Sequence, residues 1–351
     1  MKLLIITQKV DANDDLLGFF IGWLKEIATR TDQVNVITLF AGEYDLPPNV
    51  KVYSLGKEKG RVRLLRYFKF FSLIFKLLPK TDKVLAHMCP EYVNALWLIN
   101  LFLRKDIYLW YTHRQVSRNL RLASKSVKKI FTASPESCQL ESKKVKVLGH
   151  GIDLENYQIP KKDNQTSDNK LNIIYVGRIS RIKNQQLLIK AAEVLVKEKN
   201  FTDFHVKLVG APIMTADKVY ASELEELISK NNLTEFFQFV GKVPNNQIIK
   251  YYQSADLSIN LSPTGGLDKT VLESMACGVP VIVVNKSFRE TLGQNANWLT
   301  VPEDEHKLAE KIIKIKNQRN SELANYLRNQ VTKHHNLKDL INRLISEMSK
   351  T

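Results

Sequence analysis

Short apolar runs of strand length alternate with helix-period patterns along the whole chain. In the first half the runs lie at 2–7, 34–40, 50–55, 83–87, 107–113, 129–133 and 145–148. In the second half they lie at 172–176, 205–209, 236–240, 257–260, 281–284 and 298–301. The runs are near-continuous rather than alternating, as in strands buried on both faces, so the pattern predicts an α/β chain with parallel sheets under helices. Residues 158–171 (QIPKKDNQTSDNKL) carry no periodic apolar face and contain Pro160, which marks a linker. The expected organisation is a first domain at 1–157, a linker at 158–171, a second domain at 172–334 and a C-terminal helix at 335–351 that can cross back to the first domain. The tail from Glu303 reads as two or three helices. Two doubly wound, Rossmann-like domains facing each other across a cleft follow from this reading. Ligands of such sheets bind outside the carboxyl ends of the strands.

Composition agrees with a folded chain: 351 residues, 44% hydrophobic and 25% charged, far from the disordered class. The net charge of +16 attracts nucleotides, nucleic acid or an anionic membrane without choosing among them. Three cysteines, Cys89, Cys138 and Cys277, make a disulfide framework a poor fit and a reducing compartment the better expectation. Residues 1–7 read as a buried strand rather than a signal-peptide core. No apolar run is long enough to span a bilayer.

Two segments carry candidate chemistry. Tyr175-Val176-Gly177-Arg178 closes the first strand of the second domain, and Lys183 follows just before a helical pattern. A planar guanidinium and a mobile ammonium beside a helix start make a diphosphate clamp; two solvated surface charges are the plain alternative. The second segment runs from Pro263 to Ile282. Its loop, Gly265-Gly266-Leu267-Asp268, leads into a helix beginning Lys269-Thr270 that holds Glu273 and is closed by Gly278. Bare loop amides there can face phosphate. Glu273, one turn in, can accept hydrogen bonds from both hydroxyls of a ribose, or can simply complement the helix dipole.

Gly177-Arg178 with Lys183, followed by Leu272-Glu273-Ser274-Met275-Ala276-Cys277-Gly278-Val279-Pro280-Val281-Ile282, resembles the retaining glycosyltransferases of family 4 with the GT-B fold. His150-Gly151-Ile152-Asp153 is similar to that family's turn at the linker entry. Trp110-Tyr111-Thr112-His113 and Phe131-Thr132-Ala133-Ser134-Pro135-Glu136-Ser137 resemble its N-terminal signatures. The resemblance covers about 82–300.

The resemblance implies a nucleotide-sugar co-substrate, no resident cofactor and no required metal. It implies that Arg178 and Lys183 hold the donor diphosphate and stabilise the leaving group, and that Glu273 binds the ribose. Gly241-Lys242-Val243 matches a turn near the nucleobase, and His113 a histidine near the donor sugar. The acceptor attacks on the face the leaving group vacates, with a phosphate oxygen taking the proton. One departure stands out. The family often carries a glutamate eight positions before Glu273, and this chain has Gly265 there. Asp268 in the Asp268-Lys269 pair is the candidate replacement.

His87, His113 and His150 all fall at or beyond predicted strand ends, with no metal-ligand spacing. The loop after the first run keeps one glycine, Gly18, able to approach a phosphate, beside Asp11, Asp14 and Asp15, which can instead face an acceptor hydroxyl. Residues 61–80 hold six Lys+Arg, no acid and four Phe. Leu64, Phe68, Phe71 and Phe75 predict one apolar helical face, suited either to packing on the sheet or to an anionic membrane surface. Expected partners are therefore a nucleotide-sugar and a glycan, lipid-linked or small-molecule acceptor, with an anionic membrane as a further candidate. No nucleic-acid motif accompanies the charge. The expected location is cytoplasmic, extending to the inner membrane surface. A catalytically silent GT-B protein that binds a nucleotide-sugar or a partner is the alternative, and a sugar epimerase a minor one.

Overall fold

The computed structural model describes residues 1–160, 170–318 and 320–350. Most of the expected linker, 161–169, lies outside the described residues. The chain forms two compact units. One comprises residues 1–151, 244–246 and 337–351, the other 152–243 and 247–336. The second unit thus begins at Ile152, before the predicted linker, and the C-terminal segment belongs to the first.

The first unit holds strands β1 (Lys2–Val10), β2 (Gln33–Ala41), β3 (Val50–Ser54), β4 (Lys83–His87), β5 (Asp106–Trp110), β6 (Lys129–Thr132) and β7 (Val145–Val147). They form a seven-stranded sheet ordered β3-β2-β1-β4-β5-β6-β7, parallel throughout, with Leu4 opposite both Asn35 and Val84. Its helices are α1 (Phe20–Ala28), α2 (Arg63–Leu77), α3 (Pro90–Leu103) and α4 (Arg118–Ser126).

In the second unit β8 (Leu171–Val176), β9 (Phe204–Val209), β10 (Phe237–Gly241), β11 (Leu257–Asn260) and β12 (Val281–Val283) form a parallel sheet ordered β10-β9-β8-β11-β12. Its helices are α5 (Gln185–Lys197), α6 (Thr215–Lys230), α7 (Ile248–Gln253), α8 (Lys269–Ala276), α9 (Arg289–Leu292), α10 (Ala296–Leu299), α11 (Glu305–Gln318) and α12 (Ser321–His335). The last helix, α13 (Leu337–Ser349), returns to the first unit.

Side-chain alternation builds two cores on the first sheet. Leu3, Ile5, Leu85, Tyr108 and Phe131 pack with Phe20, Trp23 and Leu24 of α1 and with Leu340, Ile341 and Leu344 of α13. Leu4, Ile6, Val84, Ile107 and Ile130 face the other way, under α2, α3 and α4. A parallel sheet covered on both faces is what near-continuous apolar runs require. The end of α13 is tied to strand starts: Glu347 pairs with Lys129 at 2.9 Å and Lys146 at 2.6 Å, and Tyr108 Oη donates to the Met348 carbonyl at 3.1 Å.

Three expectations need correction. Residues 298–301 form no strand: the chain makes α10, and Thr300 contributes only an isolated bridge to Val283. The predicted strand at 107–113 ends at Trp110, level with its partners His87 and Phe131. In α2 the buried stripe is Phe70, Ile74 and Leu77. Leu64, Phe68 and Phe75 are exposed and Phe71 is half-buried. A helix with two apolar stripes gives periodicity no means of choosing which one faces the sheet.

Candidate functional site

The second sheet reverses direction of strand addition between β8 and β11, which pair directly through Leu257–Ile173 and Ser258–Ile174. Loops after such neighbouring strands diverge and leave a crevice. Both candidate segments follow these two strands.

After β8 the backbone turns at Gly177, φ +152°. Arg178 follows, then a short turn Arg181–Lys183, and Asn184 in the left-handed region before α5 begins. Three successive strands end alike, in Val176-Gly177, Val209-Gly210 and Val240-Gly241, and all three glycines have positive φ. Gly177 N–H donates to the Val209 carbonyl at 2.9 Å, and Gly210 N–H to the Gly241 carbonyl at 2.8 Å. A Cβ on Gly210 would lie 2.1 Å from the Gly177 carbonyl oxygen. Only glycine permits the backbone of the Arg178 loop to lie this close to its neighbour.

After β11 the loop from Leu261 to Asp268 leads into α8. Its Gly265 carbonyl accepts from Asn285 Nδ2 at 3.2 Å and Ser287 Oγ at 3.4 Å. Tyr175 stitches the two loops together: its hydroxyl donates to the Lys183 carbonyl and accepts from Leu261 N–H. Lys183 Nζ pairs with Asp268, and Asn260 Nδ2 donates to the same carboxylate oxygen at 3.0 Å. Burial works against the Asp268 charge, but Lys183 and Asn260 outweigh it and hold the carboxyl below its ordinary range. Arg178 Nε lies 3.7 Å from Asp217, whose carboxylate also accepts from Met214 N–H at the start of α6, at 3.1 Å.

Glu273 sits one turn into α8 and is buried. Tyr252 Oη donates to its Oε2 at 3.2 Å, and Lys269 Nζ stands 3.9 Å from Oε1. Burial raises the Glu273 carboxyl above its ordinary range, with Lys269 and Tyr252 opposing. Burial lowers Lys269 to about 8, opposed by Glu273 and Asp153. Burial and the Glu273 charge together push the Tyr252 and Tyr157 hydroxyls well up. The Tyr157 hydroxyl also faces the Glu273 carboxylate. The cluster therefore holds two carboxylates, each beside a lysine: Glu273 next to Lys269 and Asp268 next to Lys183.

The structure brings Arg178, Lys183, Asp268, Lys269, Thr270 and Glu273 to one end of one sheet. Thr270 Oγ1 is 3.4 Å from Asn260 Nδ2. Gly266 and Leu267 are half-buried in the same loop, and Gly265 has φ +125° with nothing within 4 Å of a Cβ placed on it. Gly241 likewise faces open space, Lys242 is exposed and Val243 is buried.

His113 and Gly18 belong to the other unit. His113 is exposed, and its Nδ1 accepts from Gln115 N–H at 3.3 Å. His87 is a core residue: it is stacked on Phe20 at 4.1 Å, with Nδ1 3.1 Å from Thr7 Oγ1. Asp14 shapes the loop around Gly18 by accepting from Leu16 and Leu17 N–H and pairing with Lys9. Among the described residues no group of three or more His, Cys, Asp or Glu gathers as metal ligands do. Sequence reasoning missed Gly210, Tyr252, Asn260 and Asp217. The recurring Val-Gly at three run ends was a readable signal for the first. Nothing in the local pattern marks the others, whose roles depend on how the loops after β8 and β11 and helices α6, α7 and α8 come together.

A parallel sheet flanked by helices, with a cationic turn after one switch-point strand and a buried carboxylate after the other, defines a Rossmann-like unit. Residues 157–334 match the model of the glycosyl transferases group 1 family, and the chain belongs to that family. It is 28% identical over 179 residues to alpha-monoglucosyldiacylglycerol synthase of Streptococcus pneumoniae, covering 48% of this chain and 38% of that protein. It is 29% identical over 113 residues to D-inositol 3-phosphate glycosyltransferase of Arthrobacter sp. strain FB24, covering 32% of this chain and 26% of that protein. The chain thus spans well under half the length of these relatives. Across its whole length it is similar in structure to Anabaena HepE crystallised with UDP-glucose, at TM-score 0.77 and 18% identity, covering 100% of both chains. Sucrose-phosphate synthase of Thermosynechococcus elongatus gives 0.75 at 16% identity, covering 99% of this chain and 98% of that one. The fold is GT-B, with two Rossmann-like α/β units.

Proposed function

We propose that the chain is a retaining glycosyltransferase of family 4 that moves a sugar from a nucleoside diphosphate sugar to a lipid-linked, glycan or small-molecule acceptor. One observation carries the reading: Arg178 and Lys183 on the turn after β8 and Glu273 on the helix after β11 flank a single switch point. The bond between the anomeric carbon and the diphosphate oxygen breaks, and a bond from that carbon to the acceptor oxygen forms on the same face. The acceptor proton passes to a leaving phosphate oxygen. Arg178 and Lys183 stabilise the charge that develops on the diphosphate, and Glu273 accepts the ribose hydroxyls. Asp268, beside Lys183, bonds the sugar in place of the glutamate absent at Gly265. The family resemblance assigns Lys242 and Val243 to the base and His113 to the sugar. No metal takes part. The UDP and UDP-glucose held by HepE support a uridine donor. The name of the pneumococcal relative, together with the basic aromatic residues 61–80, supports a lipid acceptor at the cytoplasmic membrane face. Among the described residues no helix is long and apolar enough to cross a membrane.

The test is a thermal-shift screen against UDP-, GDP- and ADP-sugars, repeated with Arg178→Ala. One nucleotide class should raise Tm, and the variant should lose the shift. A flat response to all three would overturn the reading.

A further inference from the structure

Arg178, Lys183 and Glu273 all belong to the second unit. The first unit has a ligand-binding edge of its own. Strands β2 and β4 both pair with β1, and strand addition reverses between β1 and β4. The carboxyl ends around such a reversal are where doubly wound sheets take ligands. Three segments meet there: the end of β2 at Leu39, the first turn of α3 at Tyr92, and the first turns of α2. They enclose a cavity of about 140 Å³, lined by Leu39, Arg63, Arg66, Tyr67 and Tyr92. Arg63, Arg66 and Tyr67 continue the buried stripe of Phe70 and Ile74 by three- and four-residue steps, so the cavity lies on the sheet-facing side of α2. It has room for about four waters by liquid volume, the scale of one tetrahedral oxyanion.

The lining is a set of donors. Arg66 Nε is buried without a hydrogen-bond partner among the described residues, and a buried N–H of a cation costs free energy until something accepts from it. Arg63 is exposed at the mouth, where its Nη2 donates to Tyr67 Oη at 3.2 Å. Burial pushes the Tyr92 phenol up to about 12, with Cys89, Tyr67 and Glu91 adding and Arg66 opposing, so its hydroxyl keeps its proton and can donate. None of the five lining residues carries a carboxylate. The carboxylates that bear on this region are held by other donors: Glu91 by Asn119 Nδ2 at 3.1 Å, and Glu58 by Ser54 Oγ at 2.7 Å and Ala41 N–H at 3.3 Å. Further along α2, burial and the charges of Arg61 and Lys59 lower the Lys69 ammonium, with Glu58 opposing. The neighbourhood is over-supplied with positive charge.

We propose that this cavity is the phosphate subsite of the acceptor: the acceptor carries a phosphate group whose oxygens accept from Arg66, Arg63 and the two phenols, while its reacting hydroxyl stays outside. This rests on the transferase reading and narrows its acceptor to a phosphate-bearing class. Guanidinium forks and phenol hydroxyls match the oxygens of a phosphate. Neutral glycan hydroxyls would leave both arginines without a counter-charge.

The test is the thermal shift of the full chain with inorganic phosphate and, separately, with UDP. Phosphate should raise Tm in the parent and in Arg178→Ala. R66Q should need roughly tenfold more phosphate for the same shift, as expected for a lost hydrogen bond to a charged group, and should keep the UDP shift. R63Q, at an exposed position, should act likewise, whereas K80Q, which removes an exposed charge outside the cavity, should not. A phosphate shift that survives R66Q and R63Q but vanishes in Arg178→Ala, or that falls as far in K80Q, would overturn the subsite. Glycerol 3-phosphate and dioctanoyl phosphatidic acid then present the same monoester on a soluble and on a lipid body. The one that half-saturates below inorganic phosphate, with Arg66 required, names the source. If neither does, the cavity takes the free ion and the acceptor assignment falls. An Arg66-dependent phosphate shift without any UDP shift would sink the transferase reading and leave the phosphate cavity standing.

Discussion

Lys183 and Asp268 form an ion pair between the turn after β8 and the N-terminal residue flanking α8. The cation assigned to the donor diphosphate is therefore neutralised when no donor is bound, and the carboxylate that neutralises it is the one assigned to the sugar. Donor entry must exchange one anionic partner of Lys183 for another.

That exchange separates two variants. Lys183→Ala removes a charge that stabilises the leaving diphosphate, so turnover should fall about 100-fold, roughly 3 kcal/mol, and the product nucleotide should bind more weakly. Asp268→Asn removes the competing anion. It should bind UDP at least as tightly as the parent while turnover drops. Calorimetric titration with UDP beside steady-state assays separates the two effects. Equal weakening of UDP binding in both variants would mean that Asp268 only positions Lys183.

Gly265 after β11 and Gly210 after β9 should respond very differently to alanine. Gly265→Ala meets no atom within 4 Å, so the cost is backbone strain at φ +125° alone, on the order of 1 kcal/mol. Gly210→Ala adds a 2.1 Å approach to the Gly177 carbonyl. It should cost more than the 1–3 kcal/mol typical of overpacking and should displace Arg178 as well. Urea titration of the two variants checks the order. Equal midpoints would contradict the close strand-end packing.

The same glycines show what a sequence discloses. Strand–helix alternation and the placement of Arg178, Lys183 and Glu273 were legible because each is a local pattern: an apolar period, a charge after a strand, a carboxylate one turn into a helix. Asn260, Tyr252 and Asp217 were not. Tyr252 and Asp217 matter through partners far along the chain, Glu273 and Arg178, and Asn260 through Asp268, eight residues on, across a loop whose path the local pattern does not give. Gly210 lies between, since Val-Gly repeats in the sequence but its reason is the neighbouring Gly177 carbonyl. The α2 stripe failed for another reason: Phe70 and Phe68 sit on two apolar faces, and only the sheet beneath decides which is buried.

Helix α13 should be an integral part of the first unit. Glu347 gathers Lys129, Lys146 and Lys350, and hydrogen bonds from these lysines lower its carboxyl to about 2. Its folded pKa lies below the unfolded value near 4.5, so its contribution is present above that value and lost as pH falls toward 2. Glu347→Gln should be less stable than the parent at pH 6, with the gap closing on acidification. Thermal melts at pH 6 and pH 3 check this. Deleting 337–351 would bare Leu340, Ile341 and Leu344 and should yield insoluble protein.

Burial pushes Glu273 and Lys269 in opposite senses of pKa, and both directions favour the neutral form. Glu273 has a folded pKa raised above 4.5, so the native state holds its proton more tightly than the unfolded chain. Any stability gained this way exists at low pH and is lost as pH rises through the raised value. Glu273→Gln should consequently be no less stable than the parent at pH 7 and yet lose ribose binding, read as an absent UDP shift. Lys269, lowered to about 8, should give the free enzyme an alkaline limb in kcat/KM with a midpoint near that value, as the charge beside Glu273 disappears. A bound diphosphate would favour the charged lysine, so the limb in kcat should lie higher. Lys269→Arg, always protonated, should remove the limb while retaining activity. A limb near 8 that persists in Lys269→Arg would place the titrating group elsewhere.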